Sequence, residues 1–563
     1  MNRHAQATSL AAILLLTAAG CSDGTSTTPN LPDAKPADEA KGEANGEATT
    51  IVEPPPPPPP EVEISEQELK ESGFDSNQWN SAIGIGGGAG AGGAARGRRS
   101  GGESYAATQP SGFLIVGEAP LSTFGADVDT ASFTNVRRIL GGGRMPNADA
   151  VRVEEFVNAC RYELAEPGPQ QAFAFDGEVG ACPWQPEHEL VRLSLRTCAI
   201  AADQLPPCNL VFLIDTSGSM TRANKLPLLQ RALPLMIQQL RPQDRVSIVT
   251  YASGVRKPLD SAAGSEQARI LNAITQLRAG GNTNGQGGIQ AAYDLAMQNR
   301  VNGINRVVLA TDGDFNIGIR DPDQLETFVA EKRSKGVFLT VLGFGAGNLK
   351  EDRLERLANR GDGVYHYVDK LSTARRVLVE SFGAEMMTIA KDVKLQAEWN
   401  PQQVARYRLL GYENRALKAV EFRDDTKDGG EVGAGHTVTA LYQIERIAAR
   451  AGSAGSGPLV TLRVRYKPPE GDTSKELVHE LPARAGAAGA MSQNGRTAAT
   501  AAALALLLRA DPHAAITPEL LQKLATGVDA KRNADLIELV AKTDAVLAEA
   551  MEDTTGGDTD SGN

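Results

Sequence analysis

The stretch Asn209-Leu210-Val211-Phe212-Leu213-Ile214-Asp215-Thr216-Ser217-Gly218-Ser219-Met220 decides the fold. Its unbroken apolar run fits a strand buried on both faces, the pattern of a parallel sheet covered by helices. The run ends directly in a short polar loop, and an amphipathic segment starts near Lys225. Asp215, Ser217 and Ser219 therefore sit on one tight turn at the carboxyl end of a central strand, where open α/β sheets bind ligands.

The same alternation continues outward. Further strands are expected at Arg245–Tyr251, Arg306–Thr311, Val337–Gly343 and Gly363–Val368, with a short edge strand near Val255–Leu259. Helices are expected to start near Lys225, Ser265, Gly287, Asp321, Leu349 and Ser372. This is an α/β fold, a doubly wound, mostly parallel sheet with helices on both faces. Pro234 interrupts the first of these helices at a nominal cost of about 3 kcal/mol, and a kink is expected there.

Two more loops carry oxygen donors. Gly280-Gly281-Asn282-Thr283-Asn284 offers the Thr283 hydroxyl before a helix, and Thr311-Asp312-Gly313 offers a second carboxylate after an apolar strand. Two carboxylates and three hydroxyls converging on one point suit a small hard cation.

The ordered pattern D-x-S-x-S, Gly-Gly…Thr and T-D-G resembles the metal-ion-dependent adhesion site of von Willebrand factor A domains. The resemblance implies that Asp215, Ser217, Ser219, Thr283 and Asp312 hold Mg²⁺, or Mn²⁺ or Ca²⁺ in its place. It also implies an open coordination position for an Asp or Glu of a partner protein. The flanks resemble those of bacterial envelope lipoproteins carrying such a domain: Ser122-Thr123-Phe124, Asp127-Val128-Asp129-Thr130-Ala131-Ser132-Phe133 and Val153-Glu154-Glu155-Phe156 before it, and Leu409-Leu410-Gly411-Tyr412-Glu413-Asn414-Arg415 after it.

Location is read from the first residues. Arg3 and His4 precede an apolar run from Leu10 to Ala19, about half the ~20 residues a spanning helix needs, so an export signal is the reading. Leu16-Thr17-Ala18-Ala19-Gly20-Cys21 resembles a lipoprotein signal, which implies acylation of Cys21 and a lipid-anchored protein of the bacterial cell envelope, facing the periplasm or the cell surface. Ordinary cleavage and secretion is the alternative. In an exported chain the remaining Cys160, Cys182, Cys198 and Cys208 are candidates for two disulfides, with free buried thiols as the alternative.

The expected organisation is a signal peptide (1–20), a Pro/Gly-rich disordered tether (21–112), a flanking segment (113–207), the α/β domain (208–385), a β-rich flanking domain (386–490), a helical tail (491–552) and a disordered end (553–563). The first flanking segment is expected to be helical from Leu121 to about Glu166, with Asp129-Thr130 capping a helix and a second helix at Ala148–Cys160. Alternating strands at Phe173–Val179 and Leu190–Arg196, and again after Met387, suggest one β-sandwich built from both flanks with the α/β domain inserted.

Several functions are disfavoured. A formal net charge of −12 argues against nucleic acid as a partner. None of the six histidines lies in the three site loops, and the surroundings of Ser217 are not a nucleophile elbow, so the chain reads as a binding protein and not an enzyme. A structural scaffold in an envelope complex and a metal-dependent hydrolase are the alternatives. Asp424, Asp425, Asp428 and Glu431 form an acidic cluster read as a solvated face, and Asp314 as a loop residue.

Overall fold

The computed structural model describes Tyr105 and residues 109–168, 171–282, 287–313, 321–345, 350–380, 387–427, 429–447, 457–469, 471–483 and 491–555. The signal, Cys21, nearly all of the tether, Thr283, Asp314 and Asp428 lie outside the described residues.

The described chain begins with β1 (Leu114–Ile115) and β2 (Leu121–Gly125), then helices at Ala131–Gly141 and Val153–Asn158. Leu121–Gly125 is thus a strand and not part of a helix. It pairs antiparallel with Lys394–Glu398 and with Ala416–Leu417, and only those distant partners make its choice of structure. The second helix is also shorter than the Ala148–Cys160 expected. A 3₁₀ turn at Ala148–Ala150 stops where the Ser132 hydroxyl donates to the Ala150 carbonyl (2.7 Å) and accepts from the Arg152 amide (2.9 Å). Those are backbone groups that a continuous helix would have used.

After β3 (Phe173–Ala181) and β4 (Glu189–Thr197) the chain enters the α/β unit. Its strands are β5 (Cys208–Asp215), β6 (Arg245–Tyr251), β7 (Val255–Ala263), β8 (Ile304–Thr311), β9 (Phe338–Phe344) and β10 (Tyr365–Val368). They lie in the order β10-β9-β8-β5-β6-β7, all parallel except the β6–β7 hairpin. Every residue of β5 and β8 is buried, as a strand covered on both faces must be. The helix Leu226–Ile237 continues through Pro234, which falls close enough to its end to forfeit one intrahelical bond without ending it.

The chain then completes a β-sandwich with β11 (Thr388–Trp399), β12 (Val404–Leu410), β13 (Ala416–Leu417), β14 (Val432–Gly433), β15 (Thr437–Arg446), β16 (Pro458–Lys467) and β17 (Lys475–Pro482). One sheet runs β1-β12-β15-β4-β3, the other β13-β2-β11-β16-β17 with β14 on β11. Each sheet draws strands from both sides of the α/β unit, which is therefore an insertion. Trp399 of one sheet stacks on Tyr407 (centroids 5.5 Å) and meets the edge of Tyr442 (5.0 Å) of the other, closing a shared core.

Helices Gln493–Leu508, Pro518–Ala525 and Ala534–Thr555 do not form a separate tail. They share one apolar cluster with Phe133, Val136, Val153 and Phe156 of the first two helices. Among the described residues no helix is long and apolar enough to cross a membrane.

The Asp127–Arg138 stretch binds the inserted unit to this frame. Thr134 donates to the Tyr367 carbonyl (2.9 Å) and Asp129 accepts from the Tyr365 amide (3.2 Å), so side chains cover the exposed edge of β10. Arg137 pairs with Asp369 at 2.8 Å and bonds Thr373 at 2.6 Å. The capping expected of Asp129-Thr130 is absent, because the Thr130 side chain makes no cap bond and the Asp129 carboxylate is committed to β10 and Arg415.

Candidate metal centre

β5 and β8 are neighbours, so the residues that leave their carboxyl ends are brought side by side. Asp215, the last residue of β5, is fully buried, and Asp312, just beyond β8, is 1% exposed. Asp215 Oδ1 accepts from the Ser217 amide at 2.8 Å, which folds the loop back over the strand end. The Ser217 and Ser219 hydroxyls then lie 2.9 Å apart. Thr216, between Asp215 and Ser217, bonds the Tyr251 carbonyl of β6 through its amide (2.9 Å).

The Gly-Gly loop is stitched to the same turn. The Gly218 amide donates to the Gly281 carbonyl (3.0 Å), and the Gly280 amide to the Thr216 carbonyl (2.9 Å). Gly281 has φ +82°, and a Cβ there would strike the Ser253 hydroxyl. Glycine is thus required twice over at this position. The loop runs on to Thr283, which lies outside the described residues; the other four expected ligands surround one strand-end site.

Two features were not read from the sequence. One is Asp215 Oδ2, buried and without a charged partner among the described residues, with the Tyr251 hydroxyl beside the carboxyl. The second is Lys225, whose ammonium donates to Asp312 Oδ2 at 2.6 Å with both side chains almost fully buried. Lys225 reaches Asp312 beneath Gly345, where φ is +79° and any Cβ would run into the lysine stem. In the sequence it is one basic residue before a helix; only its burial beside a carboxylate marks it.

Burial pushes the Asp215 carboxyl up to about 6; its bonds with Ser217 oppose the rise and Asp312 adds to it. A buried carboxylate with an orphaned oxygen is costly unless something positive meets it. The residues present fit a hard divalent cation: Asp215, Ser217, Ser219 and Asp312 would hold it through oxygen. Among the described residues no group of three or more His, Cys, Asp or Glu could hold a metal, in keeping with a donor set rich in hydroxyls.

Family models match the chain in three consecutive stretches: "von Willebrand factor" over residues 99–192, "von Willebrand factor type A domain" over 209–379, and "Uncharacterized protein YfbK, C-terminal" over 384–546. The chain contains a von Willebrand factor type A domain. It is 40% identical over 385 residues to "Uncharacterized protein YfbK" of Escherichia coli, a match covering 64% of this chain and 66% of that one. It is 27% identical to human "Inter-alpha-trypsin inhibitor heavy chain H2" over 29% of this chain and 18% of that protein. The chain thus spans less than two thirds of these curated relatives. Among solved structures, "von Willebrand factor type A from Catenulispora acidiphila" is 17% identical with a TM-score of 0.37, covering 68% of this chain and 88% of that one. A mussel byssus matrix protein, titled "with zinc occupied MIDAS motif", is 21% identical with a TM-score of 0.27, covering 33% of this chain and 47% of that one.

The other candidates resolve into structural roles. The four cysteines expected to pair are free: Cys160, Cys182 and Cys208 are buried and Cys198 partly so. Cys160 and Cys182 belong to the helical cluster and Cys208 to the core of the α/β unit. Burial lifts the Cys160 and Cys182 thiols to about 12 and Cys208 to about 11, so all three are poor nucleophiles. In the acidic cluster, Asp425 pairs with Arg465 (3.0 Å) and Asp424 caps the Thr426 amide (2.9 Å).

Proposed function

We propose that this von Willebrand factor A domain protein is a lipid-anchored extracytoplasmic binding protein. A divalent metal at Asp215, Ser217, Ser219, Thr283 and Asp312 docks an Asp or Glu of a partner protein. The orphaned Asp215 Oδ2, buried beside the Ser217–Ser219 hydroxyl pair, carries the reading. The chain's own lysine on Asp312 supports it, since this carboxylate also calls for a cation. Bound there, Mg²⁺ or Mn²⁺ supplies a positive centre for a partner's carboxylate. Among the described residues no general base stands in the site, which supports binding and not turnover. The apolar run before Cys21 supports export and acylation, and the long Pro/Gly-rich stretch after it would hold the folded part away from the membrane.

The test is calorimetric titration of the full chain with Mn²⁺, beside Asp215→Ala, followed by a crosslinking pull-down from the native envelope with and without chelator. Asp215→Ala is expected to weaken Mn²⁺ binding by about 100-fold or more, since loss of even an outer supporting group costs 10- to 100-fold. Unchanged Mn²⁺ binding in the variant, or a partner set indifferent to chelator, would sink the proposal.

A further inference from the structure

A groove of about 910 Å³ opens beside the candidate metal centre, between the β6–β7 hairpin and the helix Gln267–Thr275. One of its walls is the metal site's own framework, because Thr216, Gly280 and Gly281 line it. Its charged lining residues are all cations: Arg256, Lys257, Arg269 and Arg278. That is unexpected in a chain of net charge −12.

Arg269 is met by Glu266 at 3.0 Å. Among the described residues no carboxylate pairs with Arg256 or Lys257, which are exposed, and Arg278 bonds only the Thr275 and Leu277 carbonyls. A second basic groove, where the α/β unit meets the frame, behaves differently. There Arg161, Arg196, Arg376 and Arg532 are each paired with a carboxylate of the chain itself, namely Glu380, Glu166, Asp535 and Glu163, and among the described residues Lys531 alone of its cations has no such pair. Those cations hold the fold together, whereas the cations beside the metal centre remain available.

We propose that this groove seats an acidic segment of a partner protein, alongside the carboxylate that meets the metal. The inference rests on the metal-docking reading for that adjacency and adds the partner's chemistry: a run of Asp and Glu, not one isolated carboxylate. Exposed cations on a shared wall attract such a run over roughly one Debye length, about 8 Å at physiological salt, and the attraction weakens as salt rises.

The experiment measures fluorescence anisotropy of a labelled oligo-glutamate peptide of about a dozen residues with the full chain, in Mg²⁺ and in chelator. The variants are Arg256→Gln/Lys257→Gln/Arg278→Gln and Asp215→Ala. All three groove positions are exposed, so the triple variant is expected to fold and to bind Mn²⁺ as the parent does. It should bind the peptide about tenfold or more weakly, three exposed charge pairs having been removed. Equal binding by parent and triple variant, or no binding by the parent, overturns the inference. So does an oligothymidylate that binds as tightly as the peptide, which would make the groove a general polyanion seat. Peptide binding lost in the triple variant yet unaffected by chelator and by Asp215→Ala leaves the groove standing and removes the metal-docking reading.

Discussion

Two regions of the molecule gather buried carboxylates, and they treat them in opposite ways. At the junction between the α/β unit and its frame, Arg152 reaches Glu355 at 2.6 Å and Glu155 at 3.6 Å, while Arg415 spans Asp127 (3.4 Å) and Asp129 (3.5 Å). Guanidinium groups of the chain itself thus answer four of these acids, although Glu154 Oε2 there also has no hydrogen-bond partner among the described residues. At the strand ends one carboxylate holds a lysine and the other keeps an oxygen that no cation meets among the described residues. A cluster neutralised from within is architecture; on the proposed reading, one left short of positive charge is where a cation from outside would bind. Burial alone does not separate the two, since Asp129 and Asp215 are equally hidden.

The largest effect is expected from breaking the junction. Arg152→Met leaves Glu155 and Glu355 buried without their cation and should cost about 3–5 kcal/mol, read as a fall in the urea midpoint. A loss within the range of ordinary surface substitutions would mean that the junction acids are not held by their arginines, and the contrast would dissolve.

The lysine at the metal centre comes next. Lys225→Met frees Asp312 and should tighten Mn²⁺ binding about tenfold, equivalent to about 1.4 kcal/mol. The metal-free protein should melt earlier than the parent, and the upward shift on adding Mn²⁺ should be larger. Weaker Mn²⁺ binding would instead make Lys225 a necessary support of the ligand loop.

A comparable effect concerns pH. Glu154, buried at the junction, is lifted to about 7, chiefly by burial and then by Glu413 and Asp127. An acid whose folded-state pKa exceeds its unfolded value near 4.5 binds more protons when folded, so stability falls as pH rises between those values. Glu154→Gln should flatten that slope and stabilise the protein at pH 8 by on the order of 1–2 kcal/mol, measured as denaturation midpoints across pH. An unchanged slope would assign the pH dependence to Asp129 and Glu155, whose carboxyls burial also raises.

Much of this was legible in the chain. The expected strand Arg245–Tyr251 matches the observed one, and Asn209–Asp215 and Arg306–Thr311 fall one or two residues short of theirs, because a strand buried on both faces announces itself by an unbroken apolar run. Asp215, Ser217, Ser219 and Asp312 could be named as candidates because oxygen-bearing residues at strand ends follow those runs directly. Leu121–Gly125 was not legible as a strand, since its partners Lys394–Glu398 lie far along the chain. The C-terminal helices were, but their burial against the N-terminal pair was not.

The sequence by itself determined the local choices: which runs are apolar, where glycine is needed, and which oxygen-bearing side chains follow a strand. Asp215, Ser217, Ser219 and Asp312 were readable as candidates for that reason, their two loops being short and each following its own strand. Tertiary structure decided which charges meet. Arg152 is 203 residues from Glu355 and Lys225 87 residues from Asp312, separations over which no local pattern specifies a partner. Which carboxylates the fold neutralises, and which one it leaves wanting a cation, is settled only when the strands and helices pack.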